Sequence, residues 1–251
     1  MEQNTPWFDA PMAVVDVETT GLDPETDRVI EVAVIHMCKG EITDRWSTLV
    51  NPEQAVPDEV VKITGIDPAG LVDAPRFAAV ADEVHARITD RVFVAYNLAF
   101  DRAFVSNELR RVGLSWPDVV AIDPLIFVRE LHKSAGSKRL GAVAERLGIP
   151  LENAHRAEDD AIVAGRVLYA IADQLPPYLD ELRMLQEQWE LQQKNDMAGW
   201  RSRRGSMDDV TGDAMTLDRG NALGPAYLYG DDTDPIRAMF RHLPDSGGAR
   251  R

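Results

Sequence analysis

An α/β fold, a mixed sheet flanked by helices, is what this sequence predicts, and three observations predict it. Strand-like segments come first and then alternate with helical ones, the order of a sheet that combines antiparallel and parallel pairs. The early apolar runs are short and rich in Val and Ile, whereas the later ones take up helical spacing. Apolar residues make up 45% and charged residues 27% of 251, the balance of a folded globular chain.

From Met12 the sequence MAVVDVETTGL reads as a buried strand ending near Thr19. RVIEVAVIHMCKGEI alternates, meets Lys39-Gly40 and passes into DRWSTLVNP, so the spacing predicts an antiparallel run of three strands. DEVVKITGI reads as a short helix stopped at Gly65, and RFAAVADEVHARI sets Phe77, Val80, Val84 and Ile88 on one helical face. RVFVAYN is a further strand, followed by the helix AFDRAFVSNELRRVGL closed at Gly113. DVVAIDP is a shorter strand, IFVRELHKS a helix, and KRLGAVAERLGI a helix stopped before Pro150. HRAEDDAIVAGRVLYAIADQL fills a broad helical face with Ala161, Val163, Ala164, Val167, Leu168 and Ile171.

These elements define a domain over residues 11–175. Pro176-Pro177 introduces a C-terminal helix over 176–195, whose Leu179, Leu182, Leu185 and Trp189 form a stripe that packs back or meets a partner. Residues 196–251 shift to Gly, Asp, Arg and Ser and read as a loosely structured tail. Its segment GPAYLYGDDTDPIRAMF has the aromatic and apolar anchors of a docking peptide for a polymerase or repair protein, with a strap on its own domain as the other reading.

Forty-two acidic against 27 basic residues leave a net charge of −15, the wrong sign for a protein that coats nucleic acid by neutralising many phosphates. An acidic chain acts on phosphates when its carboxylates gather divalent cations. The single cysteine, Cys38, makes no internal disulfide, no apolar run is long enough to span a membrane, and the start lacks the pattern of a secretory signal; the expected location is cytoplasmic.

Asp16 and Glu18 stand two apart on a strand and so share a face. Asp101 falls where a strand hands over to a helix, and His155 and Asp160 lie at the start of the last long helix of the domain. Each alone reads as a capping or surface residue. Together they place four carboxylates and one imidazole at strand ends and helix starts, where an open α/β sheet carries its site. Hard oxygen ligands suit Mg²⁺ or Mn²⁺ better than zinc, and two such ions can clamp an in-line phosphoryl displacement while a neutral His takes the proton of the attacking water.

VVDVETTGLDPETDRVIEVAVI, VPDEVVKITGI, AYNLAFD and HRAEDDAIVAGRVL, in that order over residues 12–172, resemble the DEDDh 3′-5′ exonucleases, the family of the proofreading epsilon subunit of bacterial DNA polymerase III and of ribonuclease T. The resemblance implies an RNase H-like five-stranded mixed sheet flanked by helices, with a C-terminal helical and irregular extension. It also implies a two-metal-ion mechanism that releases nucleoside 5′-monophosphates from a 3′ end, of DNA and also RNA, in proofreading or repair. Asp16, Glu18, Asp101 and Asp160 match the metal ligands and His155 the general base. In the family pattern the first Asp bridges both ions, the Glu and last Asp complete one, and the middle Asp serves the other. Asp160, not Asp159, has the required spacing five after His155. Thr19, Thr20, Gly21, Leu22, Asn97 and Phe100 match positions that hold the terminal nucleotide. Tyr96 and Thr64 depart from the pattern, standing where relatives often carry His, which bears on substrate preference. Mg²⁺ is the expected cofactor, two ions with Mn²⁺ able to substitute. An RNA-trimming exoribonuclease of the ribonuclease T type and a polymerase- or repair-partner binding module are the competing readings, and the oligomeric state is open.

Overall fold

The structure, a computed structural model, describes residues 5–208, with side chains through residue 196. Its centre is a five-stranded sheet: β1 (Met12–Thr19), β2 (Val29–Cys38), β3 (Glu41–Leu49), β4 (Val92–Val94) and β5 (Ala121–Ile122), in the order β3-β2-β1-β4-β5. The first three strands pair antiparallel, as their alternation and the Lys39-Gly40 turn predict, and β4 and β5 add in parallel. Parallel addition needs a crossover; β3 is followed by α1 (Asp58–Thr64), α2 (Pro68–Val72) and α3 (Phe77–Ile88), and β4 by α4 (Leu98–Arg111). After β5 come α5 (Pro124–Leu131), α6 (Leu140–Arg146), α7 (Ala157–Ala170) and α8 (Leu179–Asp208).

The period of two splits the sheet into two packed faces. Met12 and Val14 of β1, with Ala33, Ile35 and Met37 of β2, face α7 and the helices around it. Ala13, Val15 and Val17, with Val32 and Val34, face α3 and α4. Asp16 and Glu18 continue the first set, so β1 aims both acids at the side where α7 packs. Gly165 permits that packing, since a Cβ there would stand 2.4 Å from Met37 Sδ and 3.1 Å from Val14 Cγ2.

The helix expected over 176–195 packs back on the domain. Trp189 meets Phe127 with ring centroids 5.9 Å apart, and Leu179 and Leu182 join the core on the α7 side. It continues to Asp208 and does not stop at 195; residues 196–208 contain no proline to break the ladder. The N-terminal segment is tied to the same region: Trp7, 1% exposed, donates its indole N–H to the Pro176 carbonyl at 2.7 Å. This strap is not signalled by the local sequence pattern, whereas helix α2, not among the expected elements, starts at an Asp67-Pro68 pair whose Asp side chain accepts the Ala69 N–H at 2.9 Å. The rest of the expected tail and its docking segment at 224–240 lie outside the described residues. Among the described residues, no helix is long and apolar enough to cross a membrane.

Candidate active site

The carboxylate cluster sits at the end of β1. Asp16 and Glu18 come from the strand itself, Asp101 from the first turn of α4, and Asp160 from the first turn of α7. Glu18 is 6% exposed, Asp101 3% and Asp160 9%. β4 ends at Val94, opposite Val14, so β1 runs past it without a partner strand on that side. Asp101 fills the gap, its Oδ1 accepting the Val17 N–H at 3.1 Å.

The turn before α7 places the imidazole. His155 has φ 65°, the left-handed region that non-glycine residues seldom occupy, and its N–H is donated to Asp160 Oδ2 at 3.0 Å. Glu18, His155 and Asp160 thereby bring one ligand atom each to within 4.8 Å of one another. Asp16 and Asp101 lie outside that tight trio, but close enough to repel its charges. Asp159 turns away from the cluster and accepts a hydrogen bond from Asn153 Nδ2 at 2.7 Å.

Burial and mutual repulsion dominate the electrostatics. Burial, then the charges of Asp101, Asp160 and Glu18, push the Asp16 carboxyl well above the usual carboxylate range. Glu18 is raised by burial and then by Asp160 and Glu31, with Arg156 opposing. Asp101 is raised by burial against the restraint of the Val17 N–H. Asp160 is pushed up to about 7, chiefly by burial, with the His155 N–H opposing. Four carboxylates, Glu18, Asp101 and Asp160 buried and Asp16 partly so, with so little protein cation among them fit a divalent cation as their counter-charge. A His beside two carboxylates is also a set that zinc accepts.

The remaining expected residues gather at the same end of the sheet. Thr19 donates its hydroxyl to the Gly21 carbonyl at 2.6 Å, and Thr20 Oγ1 accepts from the Arg28 N–H at 3.0 Å and from Gln54 Nε2 at 2.8 Å. A Cβ on Gly21 would fall 2.3 Å from Asp27 Oδ2, so this turn closes only around glycine. Leu22 follows in the same turn, partly buried. Asn97 takes φ 74° at the head of α4, and Phe100 meets Phe104 with ring centroids 4.8 Å apart and the planes tilted by 47°.

Two supports are not foreshadowed by the sequence motifs. Glu31 of β2, directly opposite Glu18, binds the Arg156 guanidinium at 2.7 Å and accepts the Ala157 N–H at 3.1 Å, so it caps α7 from the neighbouring strand. Asp123 accepts the N–H groups of Asn97, Leu98 and Leu125, each within 3.0 Å, and ties the start of α4 to that of α5. Burial raises its carboxyl to about 6. A charged residue inside the apolar run VIEVAV and an Asp-Pro pair ending a strand were the available signals.

A family model described as exonuclease, that of the ribonuclease T group, matches residues 13–168. The chain belongs to this exonuclease family. Among relatives, the 3′-5′ exonuclease DinG of Bacillus subtilis is 35% identical over 179 residues, 69% of this chain and 19% of that protein. The PolC-type DNA polymerase III of Halalkalibacterium halodurans is 33% identical over 168 residues, 67% of this chain and 12% of that protein. This exonuclease-family chain therefore spans under a fifth of the length of these curated relatives. Solved structures of exonuclease I share the fold. One matches with TM-score 0.61 and 22% identity over 70% of this chain and 43% of that one. The E. coli enzyme with a dT13 oligonucleotide gives 0.59 and 22% over 64% and 41%. A zinc-bound form of its single-stranded DNA complex gives 0.60 and 22% over 66% and 41%.

Proposed function

We propose that this chain is a DEDDh-type, divalent-metal-dependent exonuclease that removes nucleoside 5′-monophosphates from the 3′ end of DNA, with RNA as a second substrate. The observation that carries the reading is the convergence of Asp16, Glu18, Asp101, Asp160 and His155 at one end of the sheet, from three separate segments of the chain. In this reading Asp16, Glu18, Asp101 and Asp160 would hold two Mg²⁺ ions. Bound there, the ions would neutralise charge on the scissile phosphate and make water a better nucleophile.

His155 takes the proton from the attacking water at an imidazole nitrogen. Water oxygen bonds to phosphorus as the bond to the 3′ oxygen of the preceding nucleotide breaks, so the phosphate leaves on the 5′ oxygen of the released unit. The Thr19–Leu22 turn, Asn97 and Phe100 hold the terminal nucleotide, Phe100 offering a ring face for stacking. The DinG and PolC relatives, and the exonuclease I complexes with oligonucleotides, support DNA as the principal substrate. A net charge of −15 predicts weak binding unless a polymerase or repair partner assists.

The test is degradation of 5′-labelled single-stranded DNA, duplex DNA and RNA with Mg²⁺, against Asp16→Ala and an EDTA control. A ladder shortening one nucleotide at a time from the 3′ end, absent from both controls, is expected. No ladder on any substrate with either Mg²⁺ or Mn²⁺ would overturn the reading.

A further inference from the structure

Charge is unevenly spread over this acidic chain. Residues 129–146 carry five Lys or Arg against two carboxylates, Glu130 and Glu145, and His132 besides. Their centre is the turn between α5 and α6. There Lys138 Nζ donates to the carbonyls of Ala135 and of Gly136, the latter at 2.8 Å, and the Arg146 guanidinium donates to that of Ser137 at 2.7 Å. The turn is folded around two cations. Among the described residues neither Lys138 nor Arg146 is paired with a carboxylate, whereas neighbouring Lys133 meets Glu130.

Burial and the crowding of like charge act together here. Burial, then Arg146 and Arg129, lowers the Lys138 ammonium, and burial, then Arg146 and Lys138, lowers His132. Cations held together in this way are relieved by an anion that spans them. The turn is also wired to the carboxylate end of the sheet. The Tyr96 hydroxyl donates to the Lys138 carbonyl at 2.5 Å, and Tyr96 immediately precedes Asn97 and the helix that carries Asp101. A strand whose 3′ end lies among the carboxylates must lay its remaining phosphates on the adjoining surface of a chain whose net charge is −15.

We propose that the α5–α6 turn, with Lys138, Arg146 and His132, is a second nucleic-acid site that grips backbone phosphates of the substrate strand upstream of its 3′ end. The inference rests on the exonuclease reading above and adds to it an anchoring point remote from the metal ligands. Arg146, which is exposed, and Lys138 supply charge without reading sequence. The site explains how a chain of this net charge keeps hold of a polyanion.

The full chain with Mg²⁺ is titrated into a labelled single-stranded oligodeoxynucleotide blocked by a 3′ phosphorothioate, and anisotropy is followed across a salt series. Lys138→Glu with Arg146→Glu should raise Kd at least about tenfold and lessen the logarithmic salt slope by about 1.4, about 0.7 for each phosphate of a single strand that is no longer neutralised. Lys138→Arg with Arg146→Lys should restore both. Arg146→Glu alone, at an exposed position with one carbonyl bond, gives the same answer at about half the slope change if the pair disturbs the turn. An unchanged Kd in a variant of native melting temperature overturns the proposal. So does an acidic peptide that binds through these residues while the oligonucleotide does not, which would make the turn a protein-docking surface. If patch-dependent binding persists but no unblocked oligonucleotide is shortened in the degradation assay above, the exonuclease reading fails and the nucleic-acid site stands.

Discussion

Asp101 completes the backbone of the strand it serves: its Oδ1 accepts the Val17 N–H at 3.1 Å, on the side where β4 has already ended. One carboxylate thus has a structural duty beside the chemical one proposed for it, and the two can be separated. Asn at this position keeps the accepting oxygen but loses the charge. Asp101→Asn should fold normally, with a melting temperature in EDTA equal to or above that of the wild type, because one buried repelling charge is gone. Its nuclease activity should fall by more than about 100-fold, the loss that even an outer partner of a metal ligand can cause. Thermal melting beside a Mg²⁺-dependent nuclease assay checks both.

Metal and pH should trade places as stabilisers. Asp160 holds its proton up to about pH 7 in the folded chain, against an ordinary value of 3.8, and Asp123 up to about pH 6. Between about pH 4 and pH 7 the folded state therefore binds more protons than the unfolded one, so stability falls as pH rises through that window. A divalent cation binds the ionised cluster and offsets the loss. Melting in EDTA should drop by several degrees from pH 5 to pH 8, and Mg²⁺ should raise it at pH 8 while doing little at pH 5. A melting temperature in EDTA that climbs steadily over the same range would contradict this account.

What the sequence disclosed, and what it hid, follows from the range of each interaction. β1 to β3 were legible because alternation is written in neighbouring residues. Asp16 and Glu18 were legible as a pair because a strand fixes their common face. β5 shrank to Ala121–Ile122, since its neighbours in DVVAIDP find no ladder to join. Glu31 and Asp123 were hidden as functional supports because their partners, Arg156 and Asn97, lie 125 and 26 positions away. The left-handed turn at His155 carries no local signature, neither glycine nor asparagine, and is held by interactions made only in the folded chain.

Glu31 should act on catalysis without touching substrate. Its side chain, 4% exposed, holds a half-exposed Arg156 and caps α7 one residue beyond it, next to His155. Glu31→Gln keeps one acceptor and loses the ionic pairing, which is worth about 1.5–3 kcal/mol for a hydrogen bond to a charged group. The melting temperature should fall by a few degrees, and the turnover rate about tenfold with KM little changed, because the imidazole is displaced and the nucleotide pocket is not. A fall in stability with unchanged turnover would leave Glu31 a purely structural residue.

Gly165 sets the distance between α7 and the sheet. Alanine is the better helix former by about 1 kcal/mol, yet its methyl group would meet Met37 Sδ at 2.4 Å in a fully buried position. Overpacking should win. Gly165→Ala is expected to lose about 1–3 kcal/mol by urea denaturation, and Met37→Ala in the same chain should return part of it by opening the space.

Gly21 is confined in the same way, at the turn proposed to hold the terminal nucleotide. A methyl group there would stand within 2.6 Å of three atoms of the Asp27 carboxyl group. That carboxylate is not free to swing away, since it accepts the Thr20 hydroxyl at 3.2 Å and the Asp23 N–H at 2.9 Å. Gly21→Ala should therefore open the 20–27 turn and leave the sheet below it intact. Thr20 would lose its place, and with it the hydroxyl that the Arg28 N–H and Gln54 use. The expected outcome is a melting temperature within a few degrees of the wild type and a KM for oligonucleotides raised about tenfold, with the Mg²⁺ dependence unaltered because Asp16 and Glu18 precede the turn. Asp27→Ala in the Gly21→Ala background removes the obstacle and should recover part of the loss. If the double variant is no better than the single, the clash is not what fixes glycine at this position.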